Sequence, residues 1–568
     1  MSIILGLNCL HSDTAACLVK DNKLLFAIEE ERINREKHTS KFPLLSIKEC
    51  LKQTNIRENE ITHIALNTQP KSNLLEKINF LVKNFNFKNN LTKRLNAKIK
   101  IENILRNELN LNGKVKFVFV EHHLAHISSA YYASNFKDAI GLSIDGSGDF
   151  ASLMVAECSK GSIKVLKKIF FPDSLGIFYH AMTQFLGFKN FGDEYKLMGL
   201  APYGKPIYFD KIIDNLFQNS KNFFKLDLKY FNHHKINFNY SYSNGKKIPN
   251  IYSHSLKKLF RNEIKNNSFI FKKNFAASVQ KVYELYFHKI LKNIRINENK
   301  KNLVFAGGCA LNSSANKFLL SSKFKKKVFI PFAPGDNGGC LGAAFYVSNK
   351  LNKKNNFNDP YLGNSYSHDQ IKCILKNEFL KKIKFRSITK KNKYEIATKI
   401  IINNGVIGWF QNKMEFGPRA LGNRSILADP RNPKVKDLIN KKIKRRENFR
   451  PFAPSVLSDK QFDWFEEKFD NIYMSSVMTP KKNRASLIPG VVHVDNTSRV
   501  QTVHKNINKD FYDLIHCFYL KTNIPILLNT SFNENEPIVR TPQEAINCFL
   551  RTKMDALFID NFYITKLR

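Results

Sequence analysis

Two histidines four residues apart, His122 and His126 in EHHLAHISSAYY, are the best-spaced chemical groups in this 568-residue chain. On a helix they share a face and can grip one metal ion. A bare HxxxH pair is more often packing than ligation, so its surroundings decide. Asp145 ends the apolar run AIGLSID and opens DGSGD; Asp336 lies in PGDNGG, another glycine loop at a strand end. Singly, each aspartate reads as a turn cap. Together, two imidazoles and two carboxylates suit a borderline divalent ion, Fe²⁺, Mn²⁺ or Zn²⁺, with positions left for phosphate oxygens. His123 offers a second register for the pair. His11, with Asp13 close by, falls in the turn between the first two strands and reads either as a general base on a hydroxyl or as a turn histidine bonded locally. The run Glu29-Glu30-Glu31-Arg32, with Arg35, Lys37 and His38, is ordinarily a solvated face; beside a core strand, its role stays open.

Three glycine-rich segments follow strands: 145–149, Gly307-Gly308, and 335–342. Such loops let backbone N–H groups approach phosphate. None matches GxxxxGK[ST], and the GxGxxA-like stretch at 146–151 leads into a strand, so neither a P-loop nor a dinucleotide fingerprint is present. Three such loops in one half favour a split phosphate cleft of the actin-like ATPase kind. In the second half, GPRALGNRSILADPRNPKVKDLINKKIKRRENFRPFAPS packs Arg419, Arg424, Lys444 and Arg450 among glycines and prolines. Arg499 in TSRVQTV and Asn529 and Ser531 in LLNTSFN complete an anion pocket, since arginine is the forked ligand for phosphate and carboxylate. Residues 434–446 alone would read as an exposed basic helix or an RNA contact.

The elements that must position these groups form a mixed α/β pattern. Strands are expected at 3–8, 14–20, 23–30, 115–120, 139–145, 151–156, 302–306, 406–410 and 526–529, and a helix at 276–294. Asp21-Asn22 is a hairpin turn. The length calls for at least two domains: 1–355 and 366–568, joined by a polar linker within 346–365. An Asn/Lys/Phe-rich segment, 216–274, carries no chemistry and reads as a substrate-side insertion. No internal repeats are visible. The net charge of +43 is spread as Lys-Asn-Ile-Phe texture, for example from Lys83 to Leu91, and marks no nucleic-acid face. Nine scattered cysteines without a CxxC pair fit a reducing compartment. With no basic n-region at the start and no apolar run of about 18 residues, a cytoplasmic chain without membrane insertion is expected.

Taken in order, LGLNCLHSDTAACLV, AIEEERINREKH, EHHLAHISSAYY, SIDGSGD, GDEYKLMGLAPYG, FAGGCALN, PGDNGGCLGAA, FGPRALGNRS…FRPFAPS and LLNTSFN resemble the O-carbamoyltransferase family of the NodU and CmcH type. The resemblance spans residues 5–533 and implies an N-terminal actin-like ATPase domain, related to the tRNA threonylcarbamoyl transferase, with a C-terminal YrdC-like domain. It implies carbamoyl phosphate and ATP as co-substrates, a carbamoyladenylate intermediate, and transfer to a hydroxyl of a sugar-like or natural-product acceptor. By position, His122, His126, Asp145 and Asp336 would be metal ligands. Arg419, Lys444, Arg450, Arg499 and Ser531 would line the carbamoyl phosphate side, and Asn312 with Gly307 and Gly308 would face the adenosine. His11 would be the base. The pattern's HD is His11-Ser12 here, with the acid displaced to Asp13. The acceptor site would fall to residues 40–110 and 205–275. A homodimer is compatible with this reading. A tRNA threonylcarbamoyl-type enzyme would need no carbamoyl phosphate pocket, and a purely nucleic-acid-binding protein would need no aspartate–histidine set.

Overall fold

The computed structural model describes residues 2–9, 11–83, 100–220, 223–236, 249–266, 268–294, 302–321, 324, 327–351 and 358–567. It divides into two compact units, Met1–Asn358 and Asp359–Arg568. Residues 346–351, expected to open the linker, are instead the end of a helix, Gly339–Leu351, because Val347 and Ser348 are buried with Ala343, Ala344 and Phe345. Of the expected linker, 352–357 lie outside the described residues, as do 84–91 of the Lys/Asn texture and 221–222, 237–248 and 267 of the 216–274 segment.

Among the described residues the first unit holds two five-stranded sheets. One comprises β1 (Ile3–Asn8), β2 (Ala15–Lys20), β3 (Lys23–Glu29), β4 (His63–Leu66) and β5 (Lys116–Phe119), in the order β3-β2-β1-β4-β5. The other comprises β6 (Asp138–Gly148), β7 (Ala151–Ser159), β8 (Ser162–Phe170), β9 (Leu303–Ala306) and β10 (Val328–Phe329), in the order β10-β9-β6-β7-β8. In each, the first strand pairs antiparallel with the second and parallel with the fourth, and the second with the third is antiparallel. The same topology thus occurs twice, which is the actin-like ATPase architecture. Sequence shows no repeat because the duplication preserves strand order and close packing rather than side chains. Gly6 of β1 and Gly141 of β6 show what is kept. A Cβ at Gly6 would strike the Cys340 carbonyl oxygen, and one at Gly141 would strike the Ile127 side chain. Each glycine admits one of two helices that pack on these strands and on each other, α1 (His122–Ala133) and α2 (Gly339–Leu351). Asp21 and Asn22 both take left-handed backbone, the geometry a two-residue hairpin turn demands.

The second unit is built on one eight-stranded mixed sheet. Its strands are β11 (Ile383–Ser387), β12 (Ile407–Phe410), β13 (Arg424–Ala428), β14 (Ala453–Leu457), β15 (Gln501–Val503), β16 (Ile526–Ser531), β17 (Ala556–Ile559) and β18 (Phe562–Lys566). Their order is β11-β18-β17-β12-β13-β16-β14-β15. The central strands read as unbroken apolar runs because both faces are covered, and Trp409, Phe410, Ile426, Leu527 and Phe558 form their shared core. This is the α/β unit in which a YrdC-like domain is expected. Residues 359–365 belong to it: Tyr361 donates its hydroxyl to the Leu421 carbonyl at 2.9 Å.

Candidate metal centre and anion pocket

Helix α1 begins at His122, so its first turn presents His122 and His126 side by side. Their Nε2 atoms lie 3.0 Å apart. The Asp145 Oδ2 lies 2.9 Å from His126 Nε2 and 3.5 Å from His122 Nε2, and Asp336 Oδ1 lies 3.5 Å from both. The four donor atoms are mutually within 4.8 Å. Asp145 reaches this point because β6 leaves its register with β7 after Ile144, turning the strand end inward. Asp336 arrives on the short turn Asp336–Gly338 that leads into α2. The histidines are buried and the carboxylates partly open, so the centre faces outward through its oxygens.

The charges are strongly coupled. Burial works against ionised Asp145, but hydrogen bonds from His122 and His126 and their charge hold it well below the usual carboxylate range. Asp336 is pushed up by burial and by the Asp145 charge. Burial also opposes a charged His126, yet its bonds to both aspartates raise it to about 9. The site therefore draws in positive charge, and two convergent imidazole nitrogens with two carboxylate oxygens are a donor set a divalent ion fits. His123 is not part of it. Its Nδ1 bonds Ser143 Oγ at 2.8 Å, and burial together with the neighbouring histidines pushes it down to about 3.

The turn after β1 lies against this centre. The His11 ring sits 4.5 Å from that of His122, and Ser12 Oγ is 3.5 Å from Asp336 Oδ2. Asp13, two residues on, bonds a different histidine: its Oδ1 is 2.7 Å from His38 Nδ1, while the His38 N–H donates to Glu31 Oε2 at 2.9 Å. Burial disfavours the His38 cation, but Asp13, by charge and hydrogen bond, and Glu31 raise it to about 9. The charge run containing these residues is not a solvated face. Glu30 is buried and accepts both the N–H and the O–H of Ser46 at 2.7 Å, and buried Arg32 approaches Glu29 at 3.5 Å.

Gly307 adopts φ 93, and Gly308 lies so near Asp145 that a Cβ would come within 2.8 Å of its Oδ1. Asn312 is buried and exchanges amide hydrogen bonds with Gln280 at 3.1 and 3.2 Å. Tyr179 also donates to Gln280, at 2.7 Å. Gln280 and Tyr179 were not legible as site neighbours, since one reads as helix interior and the other as core aromatic.

In the second unit the arginines converge. Burial lowers Arg419 to about 10; burial, helped by the charges of Arg419, Arg446 and Arg450, also holds Arg499 well below its ordinary value. Arg499 Nε is buried with no protein hydrogen-bond partner among the described residues, as is Asn529 Oδ1. Arg450 NH1 lies 3.6 Å from Glu447. Lys444 is buried and donates to Ser531 Oγ at 3.3 Å, to Asn533 Oδ1 at 2.6 Å and to the Ser531 and Asn533 carbonyls. The basic stretch 434–446 is not one exposed helix. Its helix α3 spans Val435–Lys442, after which Lys444 turns inward and Arg446 donates to Asn440 Oδ1 at 2.7 Å. Sequence reading missed Arg446 because it stands in that basic run. Arg424 is a correction. Expected in the anion pocket, it is fully buried, its ring-stacked guanidinium 3.5 Å from the Phe410 centroid, and NH1 and NH2 are spent on the carbonyls of Gln411, Asn423, Asn364 and Asn412 at 2.5–3.2 Å. Through NH1 and NH2 it fastens the loops around β13, while its Nε is buried with no protein partner among the described residues.

Two family models match the chain: the carbamoyltransferase N-terminus over residues 3–345 and the carbamoyltransferase C-terminus over residues 398–566. The chain is 36% identical over 606 residues to an uncharacterized protein of Synechocystis sp., covering 100% of this chain and 97% of that one. It is 35% identical over 575 residues to nodulation protein NolNO of Sinorhizobium fredii, covering 98% and 80%. Among solved structures, (R)-2-hydroxyglutaryl-CoA dehydratase component A of Acidaminococcus fermentans aligns with a TM-score of 0.35 at 12% identity, over 62% of this chain and 99% of that one. With models of both halves matched, the chain belongs to the carbamoyltransferase family.

Proposed function

We propose that this enzyme is an O-carbamoyltransferase that draws on carbamoyl phosphate and ATP and delivers the carbamoyl group to a hydroxyl of a small-molecule or saccharide acceptor. The observation carrying the donor is the convergence of Arg419, Arg446, Arg450 and Arg499, cations whose mutual repulsion calls for a multiply charged anion. In this reading, water hydrolyses carbamoyl phosphate there to carbamate and phosphate. Carbamate oxygen then attacks the ATP α-phosphorus, giving carbamoyladenylate and pyrophosphate. The acceptor hydroxyl next attacks the carbamoyl carbon, AMP leaves, and the hydroxyl proton passes to a base. His11, packed on His122, is the candidate base. Arg419, Arg450 and Arg499 would orient the donor, and Lys444 would hold the Ser531–Asn533 strand end that walls the pocket and shields the labile carbamate from bulk solvent once the hydrolytic water has reacted.

His122, His126, Asp145 and Asp336 would hold a divalent metal, with Fe²⁺ the preferred candidate ahead of Mn²⁺ or Zn²⁺; bound there, it would supply a Lewis acid for phosphate oxygens. Gly307, Gly308 and Asn312 would take the nucleoside side. Among the described residues no helix is long and apolar enough to cross a membrane. Incubation with carbamoyl phosphate, ATP and metal tests the proposal: pyrophosphate should appear only when carbamoyl phosphate is present. No carbamoyl phosphate-dependent pyrophosphate with any of the three metals would overturn it.

A further inference from the structure

We infer that Asp149 is a positioning residue for the metal centre, its carboxylate anchoring the start of α1 and thereby the mutual placement of His122 and His126. The inference rests on the proposed reading of that quartet as a metal site.

Helix α1 has no side-chain cap of its own, for Glu121 at its N-cap position makes no capping bond. Its first backbone N–H groups therefore need acceptors from elsewhere. Asp149 supplies one from the β6–β7 hairpin: Oδ2 accepts the His122 N–H at 2.9 Å and the Gln69 N–H at 2.7 Å. Its Oδ1 accepts the Thr68 hydroxyl at 2.9 Å. One carboxylate thus joins the segment after β4, the hairpin turn and the first residue of the ligand helix. A negative group at a helix start is also favoured by the helix dipole.

The hairpin is shaped for this. Asp149 and Phe150 both take left-handed backbone, at φ 48 and 72, which costs energy for residues other than glycine and is retained where surrounding structure imposes it. A Cβ at Gly148 would overlap the His122 ring, so the imidazole lies directly on the backbone preceding Asp149. Within five residues the hairpin therefore provides a candidate ligand (Asp145), a seat for a second ligand's ring (Gly148) and the anchor for that ligand's backbone (Asp149). A second clasp flanks it: Glu121 accepts Lys168 Nζ at 2.6 and 2.9 Å and Asn73 Nδ2 at 3.0 Å, and Asn73 Nδ2 also donates to the Asp149 carbonyl at 2.9 Å. Without the carboxylate, α1 can slip or fray at the residue that bears its first ligand. Because each residue turns a helix by about 100°, a small slip re-aims both imidazoles.

The test is titration of the metal-free full chain with Co²⁺, following the visible d–d bands. Wild type should bind one equivalent. Asp149→Ala should bind about 10- to 100-fold more weakly, the size typical of lost outer-sphere support, with an altered band envelope. Asp149→Asn should stay within about 3-fold, since its oxygen can still accept both backbone N–H groups while its amide donates to the Thr68 hydroxyl. Thr68→Val, which leaves the hairpin intact, should weaken binding by about 2- to 5-fold and serves if Asp149→Ala does not fold. Wild-type affinity and spectrum in both Asp149→Ala and Thr68→Val, or in Thr68→Val alone where Asp149→Ala does not fold, would overturn the positioning role and leave the metal reading standing. Failure of wild type to bind Co²⁺ would overturn both.

Discussion

Replacing Arg499 with Met separates what the anion pocket does for ligand from what it does to the protein. In the ligand-free protein Arg499 is buried among Arg419, Arg446 and Arg450, and both burial and like charge depress its protonation. Methionine follows the arginine stem and removes the charge, so the free protein should become more stable. Exchanging buried charge for apolar volume yields about 0–4 kcal/mol, and at about 2–4 °C per kcal/mol for a unit of this size a rise in Tm of several degrees is expected. Binding should move the other way. A charge-assisted hydrogen bond contributes about 1.5–3 kcal/mol, so the loss of one such bond to a phosphate with the guanidinium should weaken carbamoyl phosphate by about 10- to 150-fold. The assay is thermal unfolding with and without carbamoyl phosphate, beside the carbamoyl phosphate KM for pyrophosphate release. At 100 times Kd the ligand stabilises wild type by about 2.7 kcal/mol, and at the same concentration the variant should keep only about 0.3–1.4 kcal/mol of this. A variant that melts lower than wild type and keeps the full ligand shift would refute the reasoning, because Arg499 would then be a structural tie.

How far these groups were legible in sequence depended on whether their geometry is local. His122 and His126 share a helical face at any four-residue spacing, and the strands Ile3–Asn8, Ala151–Ser159 and Ile526–Ser531 declare themselves as apolar runs. Asp145 and Asp336 stand 191 residues apart, on β6 and on the turn that follows β10, and only the pairing of distant strands in one sheet brings them together; glycine loops and the family pattern pointed to them, while spacing could not. The Asp13–His38 pair joins a β-turn to a loop 25 residues later, and no periodicity encodes that meeting. Arg424 and Arg499 show the same limit in the other direction. Both sit in glycine- or serine-flanked segments and carry the same guanidinium, yet one is surrounded by carbonyl oxygens and the other by cations. Which of these an arginine meets follows from the path of neighbouring loops, and residue type alone is silent about it. Strands β4, β8 and β10 escaped notice for a related reason: they are short or Lys-studded, and pairing with a neighbour, more than composition, makes them strands.

Three further outcomes follow from particular contacts. His126→Ala removes a donor from the metal quartet and should abolish carbamoyl transfer to acceptor while carbamoyl phosphate-dependent pyrophosphate release persists; equal loss of both would show that the two steps share one site. The stabilising Asp13–His38 ion pair should be fully present below pH 6.5 and fade as pH rises through about 9, because the folded-state pKa is raised above the unfolded one. Melting wild type against Asp13→Asn across that window should therefore show a gap that closes with pH; a constant gap would mean the imidazolium contributes nothing. Arg424→Lys, finally, distinguishes a structural arginine from a ligand-binding one. A single ammonium cannot span the carbonyls of Gln411, Asn423, Asn364 and Asn412, and each buried acceptor left unmade costs about 1–3 kcal/mol, so a loss of at least about 2–4 kcal/mol is expected. Against a typical stability of about 5–15 kcal/mol this should lower Tm and soluble yield sharply, while the protein that does fold keeps its carbamoyl phosphate KM. An unchanged Tm with a raised KM would return Arg424 to the anion pocket.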